Sequence, residues 1–248
     1  MSKKKHILEL LESREASGLG LTNFLTNIYR PIALHEWVLS REPDNRAILA
    51  AARRAHTIAL ASVLETFYRD FYIYCLSCDR GVLESELAGV PAKPKLSDVH
   101  ELQEGRASMP EIAAGYKSFQ DIVEIESAIS AAIPASSYLD ELFEYRHLCH
   151  IPSRGVGARG LRAKPSWRRS LANLFEERHR LVHDANRPCP LTDGDSREFE
   201  EAALFIPQIT TGLPGYIRSR AKGKKSYRRI PVVFTREDLV REDWVVVG

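Results

Sequence analysis

Between residues 45 and 78 the chain carries one long helical pattern, and it constrains the fold more than any other segment. Leu49, Ala52, His56, Leu60, Val63, Phe67, Phe71, Tyr74 and Cys78 recur on a single stripe at the 3.6-residue period. From 58 to 75 the other faces are also largely apolar, with Ile58, Ala61, Leu64, Tyr68, Tyr72 and Ile73. A helix that is apolar on most sides must be surrounded by protein, which predicts a central helix with others packed about it. The chain has 248 residues, enough to bury such a core without disulfide or metal staples. Hydrophobic residues at 44% and charged residues at 27% exclude wholesale disorder.

Breakers divide the rest. Shorter helices are predicted at 5–15 and 21–39, separated by Gly18-Leu19-Gly20 and closed by Pro43. Short helical pieces follow over 79–110, between Gly81, Gly89, Pro91, Pro94, Gly105 and Pro110. A helix near 117–132 stops at Pro134, and Ser136-Ser137 caps another over 138–149. Residues 152–165 read as loop, 166–186 as a helix ended by Arg187-Pro188-Cys189-Pro190. Asp195 or Ser196 opens the next helix, to about Gln208 or past Gly212 and Pro214 to Arg220. Residues 230–234 and 244–247 are β-branched and are expected to pair as a short ribbon. The expected architecture is an all-α bundle with a loop-rich insertion and that C-terminal ribbon. Residues 1–44 form a helical extension, 45–220 the main helical domain, and 221–248 a basic linker and tail.

No stretch approaches the ~18 consecutive apolar residues of a membrane span. The basic start, Lys3-Lys4-Lys5, is followed by Glu9, Glu12 and Glu15 rather than by the apolar region of a signal peptide. Four cysteines (Cys75, Cys78, Cys149, Cys189) do not make a disulfide framework at this length. A cytoplasmic protein with reduced thiols and no membrane partner is expected.

The chemistry concentrates on the helix at 166–186. Leu171, Leu174, Phe175, Val182 and Ala185 form its apolar stripe, Arg178 falls in the middle of that stripe, and His179 and His183 sit together on its flank. A guanidinium cannot shed its proton, so on an apolar face it needs a carboxylate, a phosphate or an interface to receive it. Pairing with a buried acid such as Glu65, or snorkelling at the helix end, is the plain structural answer. Two imidazoles beside it suggest another, because imidazole titrates near neutrality and guanidinium suits a phosphate gaining negative charge.

Arg178, four intervening residues and His183, preceded by Leu174-Phe175-Glu176-Glu177 and followed by Asp184-Ala185-Asn186, resemble the R-x(4–6)-H signature of the HEPN superfamily of helical-bundle ribonucleases. His179 matches the polar residue that usually follows the Arg. The earlier stretch from Ala55 to Phe67 also looks like the first core helix of the stand-alone bacterial branch, including the RiboL-PSP group. The resemblance covers roughly 45–78 and 136–220. It implies metal-independent RNA cleavage with no cofactor, in a homodimer whose Arg/His pairs share one cleft, in a toxin–antitoxin or phage-defence setting with an antitoxin or defence-system partner. His183 is then the principal acid/base acting on the ribose 2′-OH or the leaving 5′-oxygen, His179 a supporting contact, and Arg178 the stabiliser of the phosphorane-like transition state. A toxin subclass carries Tyr two residues after the motif His, where its antitoxin modifies it; this chain has Ala185. Two other readings stay open: a non-catalytic RNA- or nucleotide-binding, regulatory HEPN dimer, and a helical interaction module with Arg178 paired internally to Glu65.

Further residues are candidates for substrate contact. Arg180 and Asn186 flank the motif, Arg159 lies in the arginine-bearing loop, and Lys224 and Arg228 belong to a basic run with Lys222, Lys225, Arg229 and Tyr227. A solvated basic linker accounts for that run equally well. Gly155-Val156-Gly157-Ala158-Arg159-Gly160 matches a dinucleotide-binding spacing, but with no strand expected before it and no capped helix on it the match carries no cofactor. Arg146-His147-Leu148-Cys149-His150 echoes the main motif one residue short, as a second active-site wall or the end of a surface helix. The lone Cys75-x-x-Cys78, even with His147, Cys149 and His150, reads as ordinary small buried cysteine, and no metal site is expected. His35-Glu36 lacks the second His of a zinc-protease motif. The formal net charge of +2 hides a polarity: residues 1–145 carry 15 basic and 21 acidic side chains, residues 146–248 carry 20 and 12. The half with the Arg/His motif is the basic half, a polarity that favours an RNA partner.

Overall fold

The computed structural model describes residues 20–89, 96–133, 135–144, 146–151, 158–184, 188–214, 217 and 233–240. Over these the protein is all-α apart from one hairpin. The elements in chain order are α1 (Gly20–Arg41), α2 (Arg46–Cys78), α3 (Arg80–Ala88), α4 (Leu96–Gln103), α5 (Met109–Gly115), α6 (Ile122–Ala132) and α7 (Tyr138–Glu144). Strands β1 (Arg146–His150) and β2 (Ala158–Arg162) follow, then α8 (Pro165–His183), α9 (Asp193–Thr210) and α10 (Arg236–Val240).

α2 is the axis. Asn45 caps it by accepting the Ile48 N–H at 3.2 Å. Asp79 both ends it and caps α3, accepting from the Gly81 and Val82 N–H groups. One 18-residue window of α2 reaches a mean hydropathy of 1.3, apolar enough by composition to cross a bilayer. In this fold the apolarity goes into the core: Leu60, Leu64, Tyr68 and Tyr72 are completely buried. They meet Phe24, Ile28 and Ile32 of α1, Ile125 and Ile129 of α6, Leu171 and Leu174 of α8 and Ala202 and Ile206 of α9 in one continuous cluster. α1 thus shares the core of the main bundle. Inside it the hydroxyls of Tyr68, Tyr138 and Thr210 form a chain, at 3.2 and 2.6 Å, that ends on the Ile206 carbonyl.

Several boundaries differ from the expected ones. Ser137 does cap the helix after it, accepting the Asp140 N–H, but that helix stops at Glu144 rather than 149. The Arg146–His150 segment is not a helix end; it is β1, antiparallel to β2 with His147 opposite Leu161 and Cys149 opposite Arg159. The segment 152–165 is therefore not all loop, and a strand does precede the glycine spacing. The described residues of that spacing, Ala158, Arg159 and Gly160, run into β2 rather than into a helix. The strand pattern was masked by basic residues: Cys149 and Ile151 are buried at two-residue spacing, while the His147 ring donates Nε2–H to the Leu142 carbonyl at 2.8 Å. Burial pushes the His147 pKa down, against the pull of that hydrogen bond.

At the other end, Val233 and Leu239 enter the core. The Gln208 side chain holds Phe234 by both backbone groups, donating to its carbonyl at 3.0 Å and accepting its N–H at 2.8 Å. Of the expected C-terminal ribbon only Val233 and Phe234 lie among the described residues, and they carry no strand pairing. The helix expected at 5–15 lies outside the described residues.

Candidate active site

α8 opens with Pro165 in its first turn, where the missing N–H costs nothing. Its buried face is Trp167, Leu171, Leu174, Phe175 and Leu181. Val182, expected on that face, is 48% exposed, and Leu181 takes its place. The helix ends at His183 instead of 186, with Asp184 as its C-cap. Two last-turn carbonyls receive the Arg54 guanidinium of α2: Leu181 and, at 2.9 Å, Asp184. Carbonyls at a helix end lack intrahelical donors, so this arginine fixes the turn that carries His183. Nothing in the spacing of Arg54 announces that role, because its partners lie 127 and 130 residues away.

Arg178 sits on the buried stripe, as its position in the sequence requires. Its Nη2 lies 3.1 Å from Glu65 Oε1 of α2, with the two side chains 17% and 19% exposed. Burial raises the Glu65 carboxyl above its ordinary pKa, outweighing the attraction of Arg178 and Arg69. The contact is ionic rather than a well-formed hydrogen bond, and the buried Arg178 Nε has no acceptor among the described residues.

His179 and His183 are both exposed on one flank of α8, with ring centroids 4.3 Å apart and planes inclined by 54°. Neither has a hydrogen-bond or ionic partner among the described residues. The helix accordingly presents two solvent-facing imidazoles beside a guanidinium held on Glu65. Such a set can take up and release a proton and meet an anionic phosphate. Arg180, expected to contact substrate, is engaged by Glu176 and, at 2.6 Å, by Glu177. Arg159, expected in a loop, has its backbone in strand β2. Asn186, Lys224 and Arg228 lie outside the described residues.

A second polar cluster was not foreseen. His35 of α1, His56 of α2 and Glu200 of α9 are all at least 97% buried. Glu200 Oε1 is 3.2 Å from His35 Nδ1 and 3.0 Å from His56 Nε2, and Oε2 is 2.9 Å from Arg236 Nε of α10. Burial pushes the Glu200 carboxyl up, but the two imidazole contacts and the charges of His56 and Arg236 prevail and hold it down at about 2. His56 stood on the predicted buried stripe, but its partners come from two other helices and no local spacing links them.

A scan against protein-family models, a search of curated proteins and a search of solved structures each found no match to the chain.

Proposed function

We propose that the protein is a HEPN-type, metal-independent endoribonuclease whose catalytic residues are Arg178, His183 and His179. The observation that carries the reading is the surface end of α8, where two exposed imidazoles stand 4.3 Å apart beside the motif guanidinium. His183 acts as acid/base: a proton leaves the ribose 2′-OH, the oxygen attacks phosphorus, and the 5′-oxygen leaves with a proton, giving a 2′,3′-cyclic phosphate. Arg178 stabilises the charge gathered on the phosphorus oxygens, and Glu65 orients it. A homodimer that faces two such helix ends together, acting as a toxin or phage-defence effector, completes the reading. The basic balance of residues 146–248 supports an RNA partner.

The Arg178–Glu65 ion pair also favours a second reading, in which the guanidinium is structural and the protein binds RNA, or another protein, without cutting. One experiment separates them. Purified protein incubated with RNA in EDTA is expected to cut it, and His183→Ala to abolish cutting while circular dichroism stays unchanged. Cleavage lost in EDTA while circular dichroism shows the fold intact, or cleavage that survives His183→Ala, refutes the mechanism. Intact RNA bound with a steep salt dependence establishes the second reading.

A further inference from the structure

We infer that His35, His56 and Glu200 form a buried transition-metal site of the Zn2+ class that ties α1, α2 and α9 together. The donor atoms, two imidazole nitrogens and one carboxylate oxygen, lie within 4.8 Å of one another, and this mixed set is the usual choice of zinc, cobalt and nickel. Bonds of ~2.0–2.1 Å in tetrahedral geometry hold ligand atoms ~3.3 Å apart. The observed separations from Glu200 Oε1 are 3.2 Å to His35 Nδ1 and 3.0 Å to His56 Nε2.

His56 Nε2 lies 3.0 Å from Glu200 Oε1 without a hydrogen bond, so it is open to a cation that Oε1 can share. On the other side of the ring, Nδ1 donates to the Pro31 carbonyl at 3.1 Å. The Pro31 contact then becomes the outer bond that fixes the tautomer and orientation of a ligating histidine. Arg236 occupies Glu200 Oε2 and leaves Oε1 as a single-oxygen ligand.

Arg236 bridges Glu200 and Glu36 across α9, α10 and α1, so these three side chains sum to minus one and the cluster attracts a cation. The rings of His35 and His56 are 4.2 Å apart and 16° from parallel. Sharing an ion therefore requires the His35 ring to turn about its Cβ–Cγ bond. That turn gives up the stacking on His56 and the Nδ1 contact with Glu200, and the metal bond replaces the contact. Three protein ligands leave the fourth position to water.

The test uses the full chain, stripped with a chelator and titrated with Co2+, then Zn2+. One equivalent of Co2+ is expected to bind with visible d–d absorption, to be displaced by Zn2+, and to raise the thermal midpoint. His35→Gln is expected to weaken binding ~100-fold or more, at least the loss seen when an outer-sphere partner is removed. The double variant His179→Ala/His183→Ala, which deletes the exposed pair, should leave it intact. Wild-type protein that takes up no stoichiometric Co2+ overturns the inference, independently of how any variant folds. So does binding that survives His35→Gln, or that disappears with the exposed pair.

Discussion

Glu65 and Arg178 should respond unequally to neutralisation. Opposite charges 3.1 Å apart attract by about 5 kcal/mol at an effective dielectric of 20. Both side chains are mostly buried, so desolvation offsets much of this and the expected net coupling is about 1–2 kcal/mol. Glu65→Gln leaves a guanidinium that cannot deprotonate on an apolar stripe, a predicted loss of about 2–3 kcal/mol. Arg178→Gln leaves a carboxyl that burial has already raised and that keeps Arg69 nearby; it escapes by taking a proton, at a loss of about 1 kcal/mol. The double variant should be no less stable than Glu65→Gln alone. The pH dependence follows from the sign of the shift. The folded pKa of Glu65 lies above the unfolded one, so between the two the folded state binds more protons, and stability falls as pH rises through that window. Arg178→Gln, which raises the folded pKa further, should regain stability on acidification from neutral pH, and Glu65→Gln should lack that gain. Urea titrations followed by circular dichroism at about pH 7.5 and pH 5.5 measure all of this. Equal losses for the two single variants, or a double variant weaker than both, would refute the reasoning.

The hydroxyl chain in the core has a direction, since Thr210 donates to the Ile206 carbonyl and so accepts from Tyr138, which accepts from Tyr68. Tyr68→Phe removes only the terminal donor and is expected to cost about 1 kcal/mol, whereas Tyr138→Phe strands a buried donor and should cost about 2–3 kcal/mol; denaturant midpoints that coincide would contradict this. Burial pushes Tyr138 up to about 12 and Tyr68 well above its ordinary value. The folded state therefore holds these protons above pH ~10, stability declines beyond that point, and ultraviolet titration should show both tyrosines ionising only with alkaline unfolding. Arg54→Ala frees the carbonyls of Leu181 and Asp184; amide exchange should quicken at Asp184, whose N–H bonds to Arg180, with core amides unchanged and a stability loss of about 1–2 kcal/mol.

Local order was legible wherever a helix reports its own surroundings. The stripe along 45–78 announced α2 because a period of 3.6 residues and apolar residues on most faces have one structural meaning. Arg178 on a buried face and His179 beside His183 followed from spacing alone, since i and i+4 share a helix face whatever packs against it. The pairing of Arg178 with Glu65 could be named in advance, because a charge on an apolar stripe demands a counter-charge and α2 supplied one. The hairpin was misread because Arg146, His147 and His150 carry no strand preference. The cluster of His35, His56 and Glu200 was decided by tertiary structure alone: His35 and Glu200 are 165 residues apart, and only the packing of α1 and α9 on α2 brings their donors together. A chain encodes which side of a helix is buried; which buried groups meet depends on how the helices cross.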